Sequence, residues 1–199
     1  MTEANNRKAG YPIDPIFLQR WSARSFPGET MPEDDLLTMF EAARWSQSAS
    51  NRQPWRFTYA LRGGPQWEQY LGFLEEGNAA WCVNAAAIVI VASALHTFPT
   101  DGSAPRPIRT HSLDTGAAMQ AFTLQAAMLG YIAHPMAGIL PDKIRSELGI
   151  AEADYAIEAG IAIGRLAPKE MLPERFRDRE VASQRKPLSE IVFKGEFKG

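Results

Sequence analysis

The stretch from Asp114 to Tyr131 constrains this chain more than any other. It reads as one long helix in which Gly116, Ala117, Ala118, Ala121, Ala126 and Ala127 are interleaved with Phe122, Leu124, Met128 and Leu129. Apolar surface therefore runs nearly all the way round, so the helix needs cover on most sides. Its small side chains permit close backbone approach. In a chain of 199 residues such a helix belongs at the centre of the core or at a subunit interface.

Around it, helices and strands alternate irregularly. Pro15 to Arg20 reads as a short helix. Thr30-Met31-Pro32-Glu33 has capping-box form and opens a helix carrying Leu36, Leu37, Phe40, Ala43 and Arg44, ending near Ser46. Arg56 to Arg62 alternates Phe57, Tyr59 and Leu61 on one side, as a half-buried strand does, and Gly63-Gly64-Pro65 closes it. Helices are expected over Gln66 to Glu75 and Asn78 to Asn84. Ala87 to Ser93 is a continuous apolar run, the mark of a strand covered on both faces. Pro141 to Leu148 reads as a helix, and Tyr155 to Leu166 and Glu190 to Phe193 read as strands. His96 to Arg109, with Pro99, Gly102, Pro105 and Pro107, is expected to be an exposed loop, either a lid or a mobile connection. This mixture favours an α+β sandwich over a doubly wound parallel fold. It forms one domain over residues 11–199 behind a flexible polar tail of residues 1–10.

Charge and cysteine content narrow the class. The formal net charge is −2, with no block of like charge, so nucleic acid and membrane surfaces are not expected partners. The longest apolar run, Ala85 to Ala94, is too short to cross a bilayer, and MTEANNRKAG at the N-terminus lacks a signal-peptide core. The single cysteine, Cys82, excludes an intramolecular disulfide and fits a reducing, cytoplasmic setting. Its apolar neighbours suggest a buried small hydrophobe.

The usual catalytic motifs are missing. His96, His111 and His134 form no HExxH, and there is no CxxC, which argues against a His/Cys metal centre. There is no GxSxG elbow and no phosphate-binding GxxxxGK[ST] loop. Gly160 and Gly164 do not make a dinucleotide fingerprint. Chemistry then has to come from a bound cofactor. Two basic clusters could converge on a phosphate: Arg20-Trp21-Ser22-Ala23-Arg24 and Arg185-Lys186-Pro187-Leu188. Either one alone is more simply a solvated turn. In Ser48-Ala49-Ser50-Asn51-Arg52-Gln53-Pro54-Trp55 the two side-chain amides can both donate and accept. They suit a ring edge of alternating carbonyls and N–H groups, or they merely cap the preceding helix.

Taken in order, these segments resemble the nitroreductase family of FMN-dependent oxidoreductases. The R-x-S-x-R-x-F turn is Arg20, Ser22, Arg24 and Phe26. The S-x-x-N-x-Q-P-W segment is Ser48, Asn51, Gln53, Pro54 and Trp55. The small-residue helix ending in Gly130-Tyr131, then Pro135-Met136-Ala137-Gly138, Ile163-Gly164 and the R-x-P-L-x-E-I run from Arg185 to Ile191 complete the series.

The resemblance implies an α+β fold, a mixed sheet flanked by helices, in an intertwined homodimer with FMN at the interface. Carried over by position, Arg20, Ser22, Arg185 and, less directly, Lys186 hold the phosphate and ribityl chain. Trp21 stands where many members have Arg or His. Arg24 places a cation near the flavin pyrimidine, where it stabilises the reduced anion. Ser48, Ser50 and Asn51 reach the flavin of the partner subunit, with Gln53 supporting them. Asn78, Pro135, Met136, Ala137 and Gly138 complete the cofactor set, with the Gly138 N–H offered to flavin N5. Trp81 replaces a lysine that some members carry. The implied reaction takes electron pairs from NADH or NADPH to a nitroaromatic, quinone or similar small acceptor, with no metal and no side-chain acid or base. A flavin-binding or redox-sensing protein with little turnover, and dehalogenating or flavin-degrading activity, are the alternatives.

Overall fold

The computed structural model describes residues 5–197. Its centre is the apolar run, which forms β2 (Ala87–Ala94), buried along its whole length. It pairs with β1 (Trp55–Leu61) on one side and β4 (Tyr155–Gly164) on the other, and β3 (Ile132–Met136) adds to β4, giving the order β1-β2-β4-β3. The sheet expected to be mixed is antiparallel at all three described pairings, because each connection returns the chain in the opposite direction to its neighbour. β3 went unrecognised in the sequence because Pro135 lies inside it. As the edge strand it tolerates a residue that lacks a ladder donor.

Two apolar layers enclose the sheet. On one face α2 (Glu33–Arg44) and α5 (His111–Met128) press Leu36, Met39, Ala118 and Phe122 against Val89, Val91, Ile161 and Ile163. On the other, α3 (Trp67–Leu71), α4 (Glu76–Cys82) and α6 (Pro141–Leu148) bring Trp67, Tyr70, Trp81 and Ile144 against Ile88, Ile90 and Ala162. Full burial of each such side chain contributes about 1.5–3 kcal/mol. Cys82 is fully buried beside Met136 (sulfur to sulfur 3.5 Å), and burial pushes its thiol pKa well up, so it acts as core.

A bulge between Val91 and Ala92 shifts the β2–β4 register, so that Val91 faces Ala159 while Ala92 faces Ile157. The extra residue is Glu158. Beyond it the facing of β4 reverses: Ile157 packs with the second layer, Ile161 and Ile163 with the first. The bulge thereby turns the Glu158 carboxylate towards the start of α5.

Three expectations need correction. The capping box does not form: α2 begins at Glu33 with Pro32 as its N-cap and no side-chain cap, and Glu33, Asp34 and Asp35 answer the helix dipole instead. The helix expected over Gln66 to Glu75 is only Trp67–Leu71, ended where Gly72 follows. The strand expected from Glu190 to Phe193 is not formed. Leu188–Glu190 makes a short 3-10 turn, and Ile191 and Val192 are exposed. A strand exists only where another strand pairs with it, and among the described residues no strand pairs with this segment.

The long helix buries a single stripe: Asp114, Ala118, Phe122 and Ala126 at intervals of four, with Thr115 and Thr123 beside them. Its other side leaves Leu113 and Met128 largely exposed. Among the described residues no helix is long and apolar enough to cross a membrane. A short α1 (Ile16–Gln19) precedes the first basic cluster, and α7 (Glu174–Arg177) precedes the second.

Candidate cofactor site

The first basic cluster is built by alternation. Trp21 and Ala23 point inward, packing with Ala182, Ile132 and Leu166, while Arg20, Ser22 and Arg24 are left half-buried on the opposite side. Glu180 locks this extended segment: its Oε1 accepts the Arg24 N–H at 2.6 Å and the Ser25 N–H at 2.9 Å. Its Oε2 is buried without a hydrogen bond, 3.7 Å from the Arg24 guanidinium. The Arg24 cation is thus already faced by a carboxylate.

Beneath the cluster, His134 of β3 donates its Nδ1–H to the Ala23 carbonyl at 2.9 Å. Burial, then the charges of Arg24 and Arg20, lowers its pKa to about 4. It is a neutral strut. Trp81 lies against its ring, with centroids 4.7 Å apart, and against Phe26, so this tryptophan is core.

Arg20 differs from the other cations. Its side chain has no hydrogen-bond acceptor and no ion pair among the described residues, although it is half-buried. Burial lowers its pKa, and so does the nearby guanidinium of Arg185. The fold therefore draws Arg20 and Arg185 together from opposite ends of the chain. Among the described residues Arg185 itself donates only to the oxygens of Ser183 and Gln184, while the exposed Lys186 stands 4.0 Å from Glu190. A third guanidinium, Arg7, joins them. It donates to the carbonyls of Arg20 (2.8 Å), Leu18 (3.3 Å) and Ser183 (2.8 Å).

The second polar element is a 3-10 turn, Ala49–Asn51. Ser50, Asn51 and Gln53 all have positive φ, at 52°, 53° and 47°, a conformation that costs non-glycine residues energy and needs support. Support comes from Ser48 Oγ, which accepts the Gln53 N–H at 3.0 Å, and from Gln53 Nε2, which donates to the Asn51 carbonyl at 3.0 Å. Asp114, buried in the first turn of α5, accepts the Ala49 N–H at 3.1 Å and the Thr110 hydroxyl at 2.8 Å. One turn away, Glu158 accepts the hydroxyls of Ser93 and Ser112, and Ser93 meets His111 Nδ1 at 2.7 Å. These contacts hold the helix start that carries the turn.

The third element follows β3. Asn78 Nδ2 donates to the Gly138 carbonyl at 2.8 Å, and the Glu75 N–H donates to the same oxygen at 3.1 Å. The Gly138 N–H, on the other side of the residue, has no acceptor among the described residues. A Cβ at Gly138 would lie 2.6 Å from Asn78 Nδ2 and 2.9 Å from Glu75 Oε2, so any larger residue displaces the side chains that pack on this peptide or the peptide itself.

Open recesses lie beside the basic clusters. Arg20, Ser22 and Pro135 line a cavity of about 250 Å³ against Gly116, Gln120 and Thr123 of α5. Arg20 also lines an adjoining cavity of about 640 Å³ with Arg7, Trp21 and Tyr131. Arg185 and Lys186 line a third, again with Arg7. The Ser48–Gln53 turn lines none of the three within one chain. Sequence reasoning missed Arg7, Glu180, His134 and Asp114. Arg7 and Glu180 sit in polar stretches without periodicity, and no local signal marks them.

The chain is similar to known proteins. The model of the Nitroreductase family matches residues 17–78 and 60–165. A crystal structure described as an oxidoreductase containing FMN is 46% identical, covers 100% of both chains and superimposes with a TM-score of 0.94. The Synechocystis protein DrgA is 28% identical over 179 residues, spanning 77% of this chain and 83% of its own. A Streptomyces coelicolor protein, SCO7141, whose name pairs NADH dehydrogenase with NAD(P)H nitroreductase, is 28% identical over 156 residues, 70% of this chain and 76% of its own.

Proposed function

The chain belongs to the Nitroreductase family, and on that footing we propose that it is an FMN-dependent oxidoreductase. It draws electron pairs from NADH or NADPH and passes them to a nitroaromatic, quinone or similarly electrophilic small molecule. One observation carries the reading: Arg20, half-buried and without an acceptor, lies near Arg185, and neither pairs with a carboxylate among the described residues. Like charges gathered in a partly desolvated recess call for an anion, and guanidinium forks match the oxygens of a phosphate monoester. The unpartnered Gly138 N–H and the cavity between Arg20 and Pro135 fit the rest of such a cofactor.

In this reading Arg20, Ser22, Arg185 and Lys186 grip the phosphate and the ribityl chain. The Trp21–Ala23 anchor and the Glu180 bonds hold that segment rigid, so little order has to be created on binding. Asn78 fixes the Gly138 peptide so that its N–H faces the ring edge beside Pro135, Met136 and Ala137. Arg24 adds positive charge near the ring, tempered by Glu180. FMN, when bound, supplies the hydride-transfer chemistry. The protein works as a cytoplasmic homodimer. The open side of α5, with Leu113 and Met128 exposed, is the face a second subunit covers, and Ser48, Ser50 and Asn51 reach across to the partner's cofactor.

The test is to release the flavin from purified protein by heat and identify it, then to follow oxidation of NADH and NADPH with and without a quinone. The expected outcome is FMN and quinone-dependent nicotinamide oxidation. Recovery of FAD, or protein that ignores added FMN, overturns the proposal. FMN without any turnover would leave a flavin-binding protein.

A further inference from the structure

The Arg20–Arg185 pair is held together by a residue outside both basic clusters. Arg7 is the only described side chain that bonds to both arms of the site. Its Nε donates to the Ser183 carbonyl, two residues before Arg185, and its Nη1 donates to the carbonyls of Leu18 and Arg20. Asn5 adds a bond from Nδ2 to Leu18 at 2.6 Å. The described part of the N-terminal tail is therefore a strap laid across the chain's two ends. Three carbonyl contacts would satisfy a structural arginine, yet none of them neutralises it. Arg7 has no carboxylate partner among the described residues. Its guanidinium lines the cavities of both Arg20 and Arg185. Burial lowers its pKa, and the charges of Arg185 and Arg20 lower it further. Arg7 is thus held by main-chain carbonyls between two cations that repel it.

We propose that Arg7 is the third arm of the phosphate site, and that the segment from Asn5 onward is a strap that closes on the phosphate of FMN and is locked by it. The inference rests on the FMN reading above. It adds that phosphate binding and docking of the strap are coupled: the anion relieves the repulsion that otherwise opposes bringing Arg7 to the two arms. The thermodynamic consequence is reciprocal. FMN stabilises the docked strap, and the docked strap raises affinity for FMN. Riboflavin, which has the ring and the ribityl chain but no phosphate, does neither.

Two measurements on the full-length protein test this. The first is affinity for FMN and for riboflavin, from flavin fluorescence, in wild type, Arg7→Ala, Arg7→Lys and Arg20→Ala. Charge-assisted hydrogen bonds to phosphate predict that Arg7→Ala weakens FMN by about tenfold, leaves riboflavin unchanged, and flattens the salt dependence of FMN binding. Arg7→Lys should recover part of the loss. Arg20→Ala should show the same signature more strongly. The second is trypsin cleavage after Arg7 and Lys8, read by mass spectrometry. FMN should slow this cleavage several-fold, and riboflavin should not.

Equal losses for FMN and riboflavin in Arg7→Ala would make Arg7 a purely structural clamp and overturn the proposal. So would unchanged FMN affinity, or cleavage indifferent to FMN. In each of these cases wild-type FMN binding, and with it the FMN reading, still stands. Wild-type protein that binds FMN no better than riboflavin would defeat both.

Discussion

Glu180 offers the sharpest test of how the site is held. Removing it as Glu180→Ala takes the acceptor from two main-chain N–H groups, those of Arg24 and Ser25. Both bonds lie in a region from which water is largely excluded, with Ser25 and Glu180 buried. Hydrogen bonds to a charged acceptor contribute about 1.5–3 kcal/mol each. Water entering the vacated space recovers part of that, so the expected loss is about 3–4 kcal/mol. For a chain of this length that lowers the melting temperature by roughly 10 °C. Glu180→Gln keeps an oxygen to accept both N–H groups but loses the charge facing Arg24, and should cost about 1–2 kcal/mol.

Arg24→Ala removes a partly exposed cation that stands 3.7 Å from the buried Glu180 Oε2 without a hydrogen bond, and should cost about 1–2 kcal/mol, less than the two main-chain bonds. The assay is urea denaturation of all three variants at one protein concentration, because the stability of the proposed dimer would depend on concentration. Titration with FMN follows. FMN affinity should fall in Glu180→Ala, where the Arg20–Arg24 segment is loosened, and hold in Glu180→Gln. If Arg24→Ala loses as much stability as Glu180→Ala, the ion pair matters and the main-chain bonds do not, and this reasoning fails.

Other outcomes follow from the same geometry. Gly138→Ala places a Cβ 2.6 Å from Asn78 Nδ2; the Asn78 amide that bonds the Gly138 carbonyl or the peptide itself has to move, and FMN affinity should drop about tenfold (about 1.4 kcal/mol) while the melting temperature of the flavin-free protein changes little. Retention of full affinity would show that the Gly138 N–H does not face the cofactor. His134 has a folded pKa lowered to about 4 by burial, below its ordinary value near 6.5, so between these values the unfolded state binds the extra proton. Stability is then fully present above about pH 6.5 and declines as pH falls towards 4, by up to roughly 3 kcal/mol. In denaturation between pH 5 and 7, His134→Gln should flatten this slope, and an unchanged slope would mean that another group is responsible.

How much of this was legible beforehand depends on the range of the interaction involved. Period and composition revealed β1, β2 and β4, α6 and the long helix, because side-chain spacing and burial are local properties of a strand or helix. Motif order likewise marked the Arg20–Phe26 turn, the Ser48–Trp55 segment and the Pro135–Gly138 corner. Where pairing decides the outcome the sequence was silent. Ile191 and Val192 look like strand residues yet lie exposed in a turn region without a partner, and Pro135 looks like a strand breaker yet sits on an edge where its missing N–H costs nothing.

The roles of the charged residues were decided later still. Arg7 and Glu180 are indistinguishable from solvated surface when read along the chain, and motif order alone does not say which groups Arg20, Arg24 and Arg185 face. Only the tertiary structure sets Glu180 beneath two main-chain N–H groups, gives Arg24 a carboxylate, and leaves Arg20 without one. A charge's function depends on which distant groups share its low-dielectric surroundings. Residues more than a hundred and fifty positions apart meet here only because the sheet and α5 bring both ends of the chain to one side.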